Sequence, residues 1–231
     1  MIDLYMRSVK HKVVGGFARW VAMYTGPMAI TMVSLAIGIA AAVTSAFALA
    51  PLSLGLWFLN RFTDGLDGEV ARIRNEASDL GGYIDMMSDV VVYAAVPIGV
   101  AIAQNDPTTT FVLLLMVASF YLNISSWTYL SALLEKRRAA SEAHETAIVM
   151  PKGLIEGTET IILYALLIIA PGLTVAVATV AAVGAVIGAL QRVLWAVQHI
   201  PRRLRRTCRV AKGAKGDGAA SRAASGDGAS P

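Results

Sequence analysis

The residues of this chain best suited to chemistry stand in two short runs. One is Asn60-Arg61-Phe62-Thr63-Asp64-Gly65-Leu66-Asp67-Gly68-Glu69-Val70-Ala71-Arg72; the other is Gly81-Gly82-Tyr83-Ile84-Asp85-Met86-Met87-Ser88-Asp89. On a helix, Asp64 and Asp67 are one turn apart on one side, with Gly68 and Ala71 near the Asp64 meridian. Asp85 and Asp89, at i and i+4, share a face of a second helix, and Gly81 lies one turn earlier. If the short connection makes these helices antiparallel neighbours, four carboxylates meet. A single carboxylate at the centre of a spanning helix costs roughly 2.5–3.5 kcal/mol, and four together repel one another. Divalent cations remove that difficulty, because hard oxygen ligands suit Mg²⁺ or Mn²⁺. Two ions bridged by shared aspartates would use Asp64, Asp67, Asp85 and Asp89, an arrangement that recurs for displacement at phosphorus. Gly68, Ala71 and Gly81 leave room for a bulky ligand such as a nucleotide against the helix backbone, and Arg72 is placed to pair with its phosphates.

The elements that carry these residues belong in a membrane. Of 231 residues, 56% are hydrophobic and 16% charged, against a usual charged share of about 25%. Mean hydropathy is +0.60. That excludes a soluble globular domain and, outside the tail, a disordered chain. The lone Cys208 excludes an intrachain disulfide and a cysteine-based zinc site. Six apolar stretches are legible: Gly26 to Leu49, Pro51 to Asn60 with its helix continuing into the acidic run, Gly81 to Ala103, Thr108 to Leu134, Leu154 to Ala170, and Leu173 to Ile200. The last two, read as one helix of about 45 residues, would measure about 68 Å. Pro171-Gly172 therefore marks a turn between them.

Charge supports the count. All 20 Lys and Arg residues fall before span one, around the junction of spans two and three, between spans four and five, or at and beyond the end of span six. A six-span chain with both ends inside puts every one of them on the cytoplasmic face. Residues 1–25 interleave apolar and basic side chains and predict an amphipathic interfacial helix. Residues 26–200 form the membrane domain. Residues 201–231 read as a basic segment followed by a disordered tail. The sequence pI near 9.3 follows from this one-sided charge and does not imply nucleic-acid binding.

The two runs together read D-x2-D-G-x2-A-R-x8-G-x3-D-x3-D, filled by Asp64, Asp67, Gly68, Ala71, Arg72, Gly81, Asp85 and Asp89. This resembles the signature of the CDP-alcohol phosphotransferases (phosphatidyltransferases), and the resemblance covers roughly residues 1–200. It implies an all-α, six-helix integral membrane enzyme of phospholipid synthesis in a bacterial-type inner membrane, usually a homodimer, with its site at the cytoplasmic face. It further implies two Mg²⁺ or Mn²⁺ ions on the four aspartates, and Asp89 as the base. The CDP moiety would lie around Gly68, Ala71, Arg72 and Gly81, and Pro27 and Thr31 resemble the family's Pro-x-x-x-Thr region near the nucleotide. The expected partners are a CDP-linked lipid donor, a small alcohol or alcohol-phosphate acceptor, and the membrane lipids.

The acceptor is less legible. Glu156 and Glu159 enter span five near the cytoplasmic side, either as helix-start charges or as an acceptor pocket facing the aspartates. Ser119, Tyr121, Asn123, Ser125, Ser126 and Trp127 make span four unusually polar, for the same cavity or for helix contacts. The Gly-Leu-Ile-Glu-Gly-Thr-Glu-Thr run resembles a bacterial branch of the family without an assigned acceptor. Three other readings compete: a related transferase with a soluble CDP-alcohol donor and a lipid acceptor, a cation- or proton-coupled transporter, and a non-catalytic scaffold. Against the transporter, the acids gather at one membrane face and no internal repeat is visible. Against the scaffold, such a protein has no use for four charges at these positions.

Overall fold

The computed structural model describes residues 16–140 and 157–200. A short helical stretch at 16–22 precedes α1 (Pro27–Ala46), α2 (Ala50–Arg74), α3 (Asp79–Gln104), α4 (Pro107–Ala140), α5 (Gly157–Ile169) and α6 (Thr174–His199). The protein is an all-α membrane protein. Four of its helical segments, Pro27–Ala46, Asp79–Gln104, Pro107–Arg137 and Pro171–His199, are long and apolar enough to cross a bilayer, and Gly157–Ile169 is apolar but shorter. α2 has the length, at 25 residues, but its second half holds the acidic run. The expected fifth span began at Leu154; its first residues, Glu156 among them, lie outside the described part, as do most of the amphipathic segment and the whole tail.

The ends of these helices follow from local chemistry. Pro27, Pro51 and Pro107 lie in first turns, where a missing N–H removes no helical bond. Asn75 and Asn105 close α2 and α3 in the left-handed region, at φ 55° and 46°, which asparagine tolerates better than most residues. Ser78 then caps α3, its Oγ accepting from Gly81 N at 3.1 Å. Asp106 Oδ2 accepts from Thr109 N at 2.7 Å at the start of α4, and this backbone donor holds the Asp106 carboxyl below its ordinary pKa. Pro171-Gly172 stands in a single 3-10 turn (Pro171–Leu173), the break expected between the last two spans.

The chain divides into Met1–Val193 and Leu194–Pro231. In the second unit, Trp195 stacks on His199 at 4.6 Å at the end of α6. In the first, α1 packs against both α2 and α3. Two glycines allow that closeness: a Cβ on Gly38 would stand 2.4 Å from Val92 Cγ2, and one on Gly99 would stand 2.2 Å from the Ala42 carbonyl oxygen. Ser34 and Asn60 lock α1 to α2, with Asn60 Nδ2 donating to Ser34 O at 2.7 Å and Ser34 Oγ donating to Asn60 O at 3.1 Å. The core joins Trp57, Val92, Val96, Met116, Tyr164 and Ala181, contributed by five helices. Outward-facing Val91, Ile98, Ile102, Leu114, Leu122 and Val180 stay exposed, the expected finish for a lipid-facing surface.

Candidate active site

The second half of α2 and the first half of α3 carry the eight motif residues; the turn at 75–78 joins the two helices, and both pack against α1. Beside them opens a cavity of about 400 Å³ whose wall includes Pro27, Thr31, Asp67, Gly68, Ala71, Arg72, Gly81 and Asp85, together with Gly26, Met28, Glu76, Ala77, Ser78 and Gly82. All six residues expected around a nucleotide are in this wall. Protein packing does not demand Gly68 or Gly82. A Cβ on Gly68 would meet nothing nearer than the Arg72 guanidinium at 3.9 Å, and one on Gly82 would meet nothing within 4 Å. The space they leave belongs to the cavity.

Each aspartate has a distinct setting. Asp67 is buried, and Thr31 Oγ1 donates to its Oδ2 at 2.7 Å; the same hydroxyl lies 3.1 Å from the Pro27 carbonyl. That bond explains the Pro27–Thr31 spacing: the first turn of α1 holds a carboxylate of α2. Asp85 Oδ1 is buried with no hydrogen-bond partner. A carboxylate oxygen in that state carries an uncompensated desolvation cost, and a cation supplies what is missing. Asp64 and Asp89 lie outside the cavity lining, toward Arg61. Among the described residues, no three acidic, histidine or cysteine side chains converge closely enough to hold an ion as they stand. Asp64 and Asp89 both face the Arg61 guanidinium.

Arg61 is the residue beside the aspartates that the sequence reading missed. Its side chain is only 7% exposed, and its Nη2 stands 2.8 Å from Asp89 Oδ1, with Nη1 3.8 Å from Asp64 Oδ2. The guanidinium lies over the rings of Trp57 and Tyr93, 5.0 and 4.9 Å from their centroids. Nη1 donates to Tyr93 Oη at 2.9 Å, and Nε and Nη2 donate to Asn60 Oδ1 at 2.9 and 2.7 Å. Tyr164 backs the box, stacking on Trp57 at 5.0 Å and donating its hydroxyl to Tyr93 O at 2.7 Å. The signal was present: an arginine three residues before an aspartate on a helix forms a side-chain pair.

Other expectations are redistributed. Arg72 pairs within its helix, Nη2 to Glu69 Oε1 at 2.8 Å, with a side chain 62% exposed at the wall of the cavity. Glu159 sits in the first turn of α5 but is not in the cavity wall; Glu156 lies outside the described residues. The polar patch of α4 splits. Asn123 and Ser126 accept from the buried Arg192 of α6, while Ser119 bonds its own helix at Met116 O, and Tyr121 and Trp127 face outward.

Residues 24–194 match the family profile described as CDP-alcohol phosphatidyltransferase. The chain is 36% identical over 145 residues to the inner membrane protein YnjF of Escherichia coli, covering 61% of this chain and 68% of that protein. It is 39% identical over 90 residues to the bifunctional IPC transferase and DIPP synthase of Thermococcus kodakarensis, a match spanning 21% of that longer protein. The fold is similar to that of Mycobacterium tuberculosis phosphatidylinositol phosphate synthase (PgsA1) with CDP-DAG bound, at TM-score 0.65 and 20% identity over 84% of this chain and 98% of the other. The same enzyme in complex with manganese and citrate superposes at TM-score 0.66, again at 20% identity, over 84% of this chain and 93% of that one.

Proposed function

We propose, from the premise that this chain belongs to the CDP-alcohol phosphatidyltransferase family of membrane enzymes, that it transfers a phosphatidyl or similarly substituted phosphate group from a CDP-linked donor to an alcohol, releasing CMP. The observation that carries this reading is the cavity itself. It runs from Asp67 and Asp85 past Gly68 and Ala71 to the turn at 76–78, so a diphosphate at the acidic end leaves the nucleoside along glycine-lined backbone. CDP-diacylglycerol is the donor that a membrane-embedded site of this kind suits. Asp64, Asp67, Asp85 and Asp89 would hold two Mg²⁺ or Mn²⁺ ions, for which the orphaned Asp85 oxygen is the supporting feature. When bound, such ions would polarise the diphosphate and neutralise charge developing on the departing phosphate. Thr31 keeps Asp67 oriented. Asp89 takes the proton of the attacking hydroxyl.

Six spans with both termini cytoplasmic follow from the distribution of Lys and Arg. α2 counts as a span because its apolar first half enters the bilayer and its acidic half ends at the inner face. A reporter fused after Pro231 should be accessible from the cytoplasm alone; accessibility from outside would overturn this topology.

Membranes containing the protein, incubated with CDP-diacylglycerol, Mn²⁺ and a panel of alcohols and alcohol phosphates, should release CMP with one acceptor class. Release from a soluble CDP-alcohol with a lipid acceptor, and none from CDP-diacylglycerol, would reverse the roles of donor and acceptor. No CMP from either donor would defeat the reading. With the acceptor in hand, Glu159→Gln and Glu156→Gln should raise its KM more than they lower kcat, as when uniform binding is removed. Unchanged acceptor dependence would return both glutamates to helix-start charges.

A further inference from the structure

A buried arginine facing two carboxylates, Asp64 and Asp89, has the place of a counterion, but its bonding says more. Nε and Nη2 hold Asn60 Oδ1, Nη1 holds Tyr93 Oη, and Nη2 holds Asp89 Oδ1. The remaining Nη1 direction faces Asp64 at 3.8 Å. A guanidinium has five N–H donors in a rigid fork, so little of Arg61 is left for a substrate. The aromatic faces of Trp57 and Tyr93 fix the plane of that fork. Asp89 is thereby gripped by one oxygen.

We propose that Arg61 is a positioning residue for the transfer step. It engages Asp89 through Oδ1, leaving Oδ2 alone to face the ion site and the incoming hydroxyl. Asp89 then offers an ion one oxygen and not two, and that oxygen is held in one orientation. The same fixed positive charge opposes the divalent ions, so the site binds them more weakly than four carboxylates alone would. The arrangement gives up metal affinity for a correctly aimed base.

This inference rests on the proposed reaction and its ions, and two substitutions test it. Arg61→Met keeps an unbranched side chain of similar length between Trp57 and Tyr93 and removes the charge. Arg61→Lys keeps the charge and removes the fork. Mn²⁺ binding to purified protein without donor would be followed by electron paramagnetic resonance, and kcat and donor KM by CMP release. Arg61→Met should bind Mn²⁺ about tenfold more tightly, the scale of losing one nearby charge, yet lower kcat by about a hundredfold with donor KM little changed. Arg61→Lys should bind Mn²⁺ as the native protein does and still lose kcat. A purely structural role would weaken metal binding and turnover together in both variants, and that outcome overturns the proposal. Native kcat in either variant overturns it equally. Native protein that binds no Mn²⁺ and turns over no CDP-linked donor would instead defeat the reaction on which it rests.

Discussion

Asp85→Asn is expected to lower turnover of a CDP-linked donor by at least about a thousandfold, the scale of losing electrostatic stabilisation at a developing charge. Asp64→Asn should do the same. Neither should harm folding. Asparagine matches the volume of aspartate, and in the metal-free protein it relieves repulsion among the four carboxylates; Asp85 Oδ1 has no partner to lose, and an amide oxygen at position 64 can still face Arg61. Thermal stability in detergent without metal should therefore equal or exceed that of the native protein, while CMP release disappears. A strong chelator should abolish native activity, and Mn²⁺ or Mg²⁺ should restore it. Activity that survives the chelator undiminished would remove the metal from the reaction.

Asp89→Asn is the second large effect and has a different signature. The amide oxygen can still accept from Arg61, so the 2.8 Å contact has a neutral replacement and the local packing is kept. What the amide cannot do is accept a proton. We expect kcat to fall by about 10²–10⁴-fold, the usual contribution of a positioned base, with CDP-diacylglycerol binding close to native. Equilibrium binding of the donor, measured beside single-turnover CMP release, separates the two. Loss of donor affinity in parallel with turnover would make Asp89 a donor ligand and leave the base unassigned.

Much of the fold was legible because a bilayer imposes few solutions. Runs of apolar residues of the right length, ended by Pro, Asn and Gly, have one structure open to them. Among the described residues, helices stand at the expected stretches, four of them long and apolar enough to span; α2 does continue through the acidic run, and the chain breaks at Pro171-Gly172. The acidic motif was legible for a similar reason: spacings of three and four residues fix which side chains share a helical face. Arg61 escaped because its importance lies in partners far away in the chain. Tyr93 and Asp89 are 32 and 28 residues on, and only the packing of α2 and α3 against α1 brings them to it. The span-four patch escaped likewise. Its Asn123 and Ser126 turn to Arg192, 69 and 66 residues away, which no local pattern announces.

The sequence by itself therefore determined the class of protein, the helices and the set of carboxylates. Hydropathy, charge sidedness and helical spacing are properties of neighbouring residues, and they survive whatever the rest of the chain does. Tertiary structure decided which of those carboxylates face the cavity and which face a cation. Gly38 and Gly99 let α1 and α3 approach to backbone contact, Thr31 could then reach Asp67, and the Trp57–Tyr93–Tyr164 box could close around Arg61. Asp67 and Asp85 were left lining the cavity, while Asp64 and Asp89 were drawn toward the guanidinium. That division depends on packing between helices distant in sequence, where a single added methyl group would change the spacing.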